Sequence, residues 1–225
     1  MTNPLLLTDR LSAYDAIRPE HVAPGIGTLL AQAEAALERT HATPATFEAI
    51  SAVLDVATEQ LDRAWNDVEH LKSVLNTAEL RAAYNARLPE VTAFRTRLGA
   101  DTALFARYRA VAGEDPTLTP SRRQALSNTL RDFKLGGAEL TGPARERFAQ
   151  IQARKAALSQ QFSEHVLDAT DGFSIDLDET RLAGLPPDAL QAARARATAA
   201  GVQGARLTLH MPSYLPAMRH LQDRA

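Results

Sequence analysis

Two histidines one helical turn apart, with a glutamate beside the first, form a common zinc site in hydrolases. That spacing puts both imidazoles on one helix face and leaves the glutamate free to act as base. This chain has six histidines, at positions 21, 41, 70, 165, 210 and 220. None is followed by glutamate, and no two are three or four residues apart. The reversed order, His-x-x-Glu-His, also fails, because Glu20-His21, Glu69-His70 and Glu164-His165 each lack the earlier histidine. Surface and helix-end positions are the ordinary places for such residues.

Nucleophilic chemistry has no better footing. The chain has no cysteine, no Gly-x-Ser-x-Gly elbow and no Gly-x-x-x-x-Gly-Lys-Ser/Thr phosphate loop. Gly25-Ile26-Gly27 is a fragment of a dinucleotide fingerprint without the preceding strand or the third glycine. Asp168 with Asp171, or Glu146 with a neighbour, could be assembled into a carboxylate dyad, but spacing alone gives no geometry for one. Asp168 to Gly172 reads more simply as a helix exit with a side-chain-stabilised turn.

Arg194 and Arg196, with Arg181 nearby, make one basic cluster, and Arg122, Arg123 and Arg131 a second. Either could hold a peptide carboxylate or an acidic partner, or consist of surface side chains lying along the helix. Trp65 reads as a core or interface anchor. The sequence therefore assigns no catalytic, cofactor-binding or metal-binding residue to this chain.

The elements around these residues are mostly helical. Of the 225 residues 45% are hydrophobic but only 5% aromatic, so a core must be built from Leu, Ala, Val and Ile. A formal net charge of −2 lacks the basic surplus of a nucleic-acid binder. No apolar run approaches the length that spans a bilayer, and the opening Met1-Thr2-Asn3-Pro4 has no basic region of a signal peptide. Met1 implies a native beginning. The absence of cysteine suits a reducing, cytoplasmic setting.

Residues 3–18 read as an extended lead-in, and Pro19 opens a helix that becomes firm near Ile26, beyond Pro24 and Gly25. Val22, Ile26, Leu29, Leu30, Ala33 and Leu37 share one of its faces. Thr43-Pro44 is expected to open a second helix, whose Phe47, Ile50, Leu54, Ala57, Leu61, Ala64, Val68, Leu71 and Leu75 form nearly a heptad seam. Asn76 to Glu79 has capping-box spacing, and Pro89 is expected to kink or divide the helix that follows.

Gly113 to Pro116 reads as a turn. A further helix starts after Thr119 and ends at Gly136-Gly137, and another long one opens at Thr141-Gly142-Pro143. Phe173, Ile175 and Leu177, and then Leu207, Leu209 and Met211, alternate with polar residues at strand period. A short helix from about Pro187 to Ala200 separates them, Pro212 ends the second stretch, and a last helix begins near Ser213. The expected fold is mostly α: an antiparallel bundle of long helices with a small two-stranded β ribbon toward the C-terminal end. Residues 1–170 form a helical domain in this reading, and 171–225 a ribbon-plus-helix segment.

Four stretches carry a resemblance. They are Asn3-Pro4-Leu5-Leu6, Leu130 to Gly137 (Leu-Arg-Asp-Phe-Lys-Leu-Gly-Gly), Val166 to Phe173 (Val-Leu-Asp-Ala-Thr-Asp-Gly-Phe) and Met211 to Met218 (Met-Pro-Ser-Tyr-Leu-Pro-Ala-Met). Pro19-Glu20-His21-Val22 and Leu71-Lys72-Ser73-Val74 fit the same order. Together they resemble the N-terminal part of the thimet oligopeptidase family of zinc metallopeptidases. The resemblance implies a peptidase that cuts short peptides in a deep channel between two mostly helical halves. It also implies that the zinc-binding His-Glu-x-x-His helix lies downstream of these residues.

On that reading the chain is an inactive channel wall, and Ala225 falls partway into a helix, as in a cut fragment. Zinc is expected only in the full-length enzyme. The implied partners are short peptides and the C-terminal catalytic region of the same polypeptide, with no nucleic acid and no membrane. The ribbon and the Pro212–Met218 segment would lie near the join of the two halves, and an exposed apolar patch is expected around residues 170–225. The rival reading is a free-standing helical scaffold that binds a protein or peptide.

Overall fold

A computed structural model describes residues 3–8, 11–114 and 118–223. Among them are eight α-helices and one two-stranded sheet, in the order α1 (Pro19–Thr40), α2 (Phe47–Leu75), α3 (Ala78–Gly99), α4 (Thr102–Glu114), α5 (Pro120–Leu135), α6 (Gly142–Gly172), β1 (Ser174–Leu177), α7 (Pro187–Ala199), β2 (Ala205–Thr208) and α8 (Met211–His220). The chain divides into two compact units, residues 1–157 and 158–225.

In the first unit α1 is regular from Pro19, not from Ile26 as the glycines and Pro24 suggested. Tertiary packing outweighs their low helix propensity, because the lead-in docks on the first turns of α1. Asn3 accepts a hydrogen bond from the Leu5 amide (3.0 Å) and donates one to the His21 carbonyl (2.8 Å). A Cβ at Gly25 would lie 2.9 Å from Asn3 Nδ2 and 3.1 Å from Leu5, so glycine admits this approach. His21 closes the helix start, its Nδ1 accepting the Arg18 amide proton at 3.0 Å.

The second helix starts later than Thr43-Pro44. Thr43 instead donates its hydroxyl to the Thr40 carbonyl, and Thr46 is the N-cap, accepting from the Ala49 amide. Asn76 ends α2 in the left-handed conformation (φ 47°), and Thr77 caps α3 by accepting from the Leu80 amide. The restart is where the capping-box spacing put it, with the two residues in different roles.

Pro89 does not divide α3, which runs unbroken through it. Tyr84 before the proline and Val91 and Phe94 after it are all buried, and their burial outweighs one lost backbone hydrogen bond. The break comes at Gly99-Ala100, where Asp101 accepts the Leu104 amide proton (2.7 Å) and starts α4. Gly113 belongs to α4; residues 115 and 116 of the turn expected there lie outside the described residues.

The core of this unit is the α1 face read from the sequence, packed on the α2 seam and on α3. Trp65 is 2% exposed and stacks on Tyr84 with ring centroids 4.4 Å apart. The Lys72 ammonium sits 4.3 Å from the Tyr84 ring centre. Phe133 of α5 packs between Phe105 and Tyr108 of α4.

In the second unit β1 and β2 pair antiparallel, with Ser174 opposite Thr208 and Leu177 opposite Ala205. The ribbon stops at Thr208, so the alternation through Leu209 and Met211 overreads it. Met211 begins α8, and Pro212 stands in its first turn, where a missing N–H costs nothing. The helix leaves at Gly172, within the exit expected at Asp168–Gly172, but α6 stays helical up to that residue and forms no earlier turn. Leu177, Leu182, Leu185, Ala193, Ala205 and Leu207 form the small core.

Candidate functional site

Four of the six histidines have a partner within the chain. His21 caps α1. His41, at the end of α1, lies 3.2 and 3.3 Å from the two Asp101 carboxylate oxygens. His70 meets the Tyr14 ring edge-on at 5.5 Å. His210 lies 3.4 Å from Asp171, while His165 and His220 are exposed. Among the described residues no three His, Asp or Glu side chains are grouped to hold a metal ion.

Asp171 pairs with His210, and Asp168 and Glu146 are exposed. Sequence reasoning passed over Asp67, which is 8% exposed and accepts the Tyr14 hydroxyl proton at 2.9 Å. That hydrogen bond, then burial, holds the Tyr14 phenol above its usual range. Burial is the main cause that raises Tyr84 and Tyr108. No sequence pattern marks Asp67, because its partner is 53 residues away.

The arginine clusters are largely engaged within the chain. Arg194 grips Glu179 through two nitrogens (2.9 and 2.5 Å), and Arg181 pairs with Asp223 at 2.5 Å. Arg196 donates to the Arg206 carbonyl and to Ser213 Oγ, both at 3.2 Å. Arg122 pairs with Glu48 (2.7 Å) and lies over the Phe47 ring, and Arg131 contacts Asp132 at 3.1 Å. Across the ribbon Arg206 grips Asp176 at 2.7 and 2.8 Å, and this hydrogen bonding lowers the Asp176 carboxyl below its usual range. Arg194 lowers Glu179 in the same way.

Surface features that could receive another molecule include two of different character. In the first unit α2, α3 and α5 frame a cleft of about 670 Å³. Leu61, Phe94 and Phe133 line its apolar part, and Asp62, Arg95 and Asp132 its polar part, with Arg95 and Asp62 paired at 2.6 Å. Asp132 and Phe133 come from the Leu130–Gly137 stretch. The end of the cleft is fixed by contact between Gly99 and Gly136, where a Cβ on Gly136 would meet the Gly99 oxygen at 2.6 Å.

The second feature is apolar. Phe162 and Val166 on α6, Phe173 and Leu209 at the end of the ribbon, and Met211 and Tyr214 on α8 are exposed by 70, 50, 45, 37, 58 and 39%. All six belong to the second unit.

A family model described as the N-terminal domain of neurolysin/thimet oligopeptidase matches residues 26–145. Oligopeptidase A of Salmonella typhimurium is 40% identical over 230 aligned residues, and that of Escherichia coli 39% over 230. The probable cytosolic oligopeptidase A of Arabidopsis thaliana is 34% identical over 236. Each alignment covers 100% of this chain and 34% of the relative, so the chain spans about a third of the length of the proteins it matches.

Proposed function

The chain belongs to the neurolysin/thimet oligopeptidase N-terminal domain family, and from that premise we propose that it is the N-terminal channel-wall part of a zinc-dependent oligopeptidase that hydrolyses short peptides. The observation that carries this reading is its similarity along its whole length to oligopeptidase A, at 40% identity. Stiff, closely packed helices suit a wall that admits an extended peptide and keeps a folded domain out.

Among the described residues the donors are not grouped as a catalytic zinc requires. Such a site needs three protein ligands around one ion with a position left for water, and no three such donors meet among the described residues. The metal would be held by polypeptide corresponding to the other two thirds of the relatives, and the chain alone would be inactive. Cytoplasmic peptide turnover is the setting proposed for the whole enzyme.

The test is hydrolysis of a quenched fluorescent peptide. The purified 225-residue chain should show no turnover with or without added zinc, and chelator-sensitive turnover by it would overturn the reading. Joined to the remaining two thirds of Salmonella typhimurium oligopeptidase A, it should support turnover that a chelator abolishes.

A further inference from the structure

The cleft of the first unit has two walls built alike. On α2, Thr58, Leu61 and Asp62 fall at positions i, i+3 and i+4, and on α5, Thr129, Asp132 and Phe133 do the same. Each helix therefore brings one hydroxyl, one carboxylate and one apolar side chain to the cleft. Phe94, Arg95, Leu98 and Gly99 of α3 close the space between them. Leu61, Phe94 and Phe133 are buried, so they form a floor rather than a rim.

The polar atoms of this lining mostly accept. The Thr58 hydroxyl already donates to the Leu54 and Asp55 carbonyls (3.0 and 3.2 Å), and the Thr129 hydroxyl to the Ala125 carbonyl (3.1 Å). Each can then only accept from a ligand. Among the described lining residues Arg95 is the one cation, and Asp62 Oδ1 already takes its proton at 2.6 Å. At Asp132 the Arg131 guanidinium, which does not line the cleft, meets Oδ1 alone, at 3.1 and 3.2 Å. Those two side chains are 62 and 64% exposed, where such a pair contributes little. Among the described residues no partner meets Oδ2 of either aspartate. Two carboxylates against one guanidinium leave the lining with one negative charge in excess.

We propose that the cleft binds an organic cation, a single ammonium or guanidinium group on an apolar stem. Its source is either a free amine or guanidine, or the basic side chain of a peptide. The head group only donates, so it matches the two carboxylates and the two threonine oxygens, while the stem lies on Leu61, Phe94 and Phe133. An anion would meet like charge and find acceptors where it needs donors. The volume of about 670 Å³ lies within the ~300–1,000 Å³ of small-molecule sites. All the lining residues belong to the first unit, and the site is independent of the peptidase reading.

The experiment follows backbone amide shifts of the 225-residue chain by NMR as phenethylamine is added. Saturable shifts at Thr58, Thr129 and Asp132 are expected. Hydrocinnamate and phenethyl alcohol, which carry the same ring on a negative and a neutral head, should leave these amides in place. Two variants must move the affinity in opposite directions. Asp132→Asn removes the excess charge and should raise Kd by about three- to tenfold. Arg95→Gln frees Asp62, adds to the excess charge and should lower Kd by about two- to fivefold. Both side chains are exposed, and an unchanged circular dichroism spectrum checks that each variant folds. A Phe-Lys dipeptide blocked at both ends distinguishes the sources: tighter binding than the amine assigns the cation to a peptide, and weaker binding to a free amine. No saturable shift in the cleft, an equal response to the alcohol, or weaker binding in Arg95→Gln would overturn the proposal.

Discussion

Replacing Gly136 by alanine isolates a single steric contact. Gly136 has φ −74° and ψ −6°, a conformation alanine adopts freely, so no backbone penalty enters. The added methyl would lie 2.6 Å from the Gly99 oxygen, 3.0 Å from the Gly99 carbon and 3.1 Å from the Asp132 oxygen. All three are backbone atoms and cannot rotate away. The end of α5 must therefore lift from the end of α3, opening the cleft bounded by Gly99, Asp132 and Phe133.

Forced overpacking of this kind costs about 1–3 kcal/mol. For a unit of this size that is a fall of roughly 3–9 °C in melting temperature. Gly113→Ala is the matched control: it lies in α4 with nothing within 4 Å of a new methyl, and helix propensity makes it neutral or stabilising by up to ~1 kcal/mol. Thermal unfolding followed by circular dichroism reads both variants against the native chain. If Gly136→Ala melts within 1 °C of native while Gly113→Ala behaves as expected, the close approach of α5 to α3 does not hold the first unit together.

Ser213→Ala removes the buried oxygen that accepts the Thr208 amide proton (3.0 Å) and one from Arg196, and should destabilise the second unit by about 1–3 kcal/mol; faster hydrogen exchange at the Thr208 amide checks it. Trp65→Ala deletes the ring stacked on Tyr84 and should cost about 3–5 kcal/mol in a denaturant titration, far more than an exposed substitution such as Leu11→Ala. Acid should loosen the ribbon. Asp176 and Glu179 have carboxyl groups lowered in the folded state, so the stability they lend is present above the ordinary carboxylate pKa and is lost as pH falls through the lowered values. Amide exchange at Leu207, measured as pH drops below ~4, should show a weaker pH dependence of opening in Arg206→Gln, which no longer holds Asp176.

Much of the architecture follows from local rules. The α1 face from Val22 to Leu37 and most of the α2 seam are buried as their period requires, because a helix with one apolar stripe has one way to hide it, while Leu75 at the end of the seam is 60% exposed. Thr77, Thr119 and the Gly136-Gly137 pair mark helix ends through hydrogen bonds and backbone freedom that act within a few residues. The ribbon strands announce themselves by alternation. The missing His-Glu-x-x-His pattern is equally local, since both histidines must lie on one helical turn.

Other features depend on partners far along the chain, and only the tertiary structure decided them. Pro89 reads as a break, yet α3 continues through it because Tyr84, Val91 and Phe94 are buried on either side. Asp67 becomes a buried acceptor through Tyr14, and Gly136 loses the room for a side chain through Gly99. Periodicity could place Phe162 and Tyr214 on helices, and misread Met211 as strand, but could not say that they face solvent. Burial is set by what else packs against a helix face, and that is a property of the assembled chain rather than of any window of it.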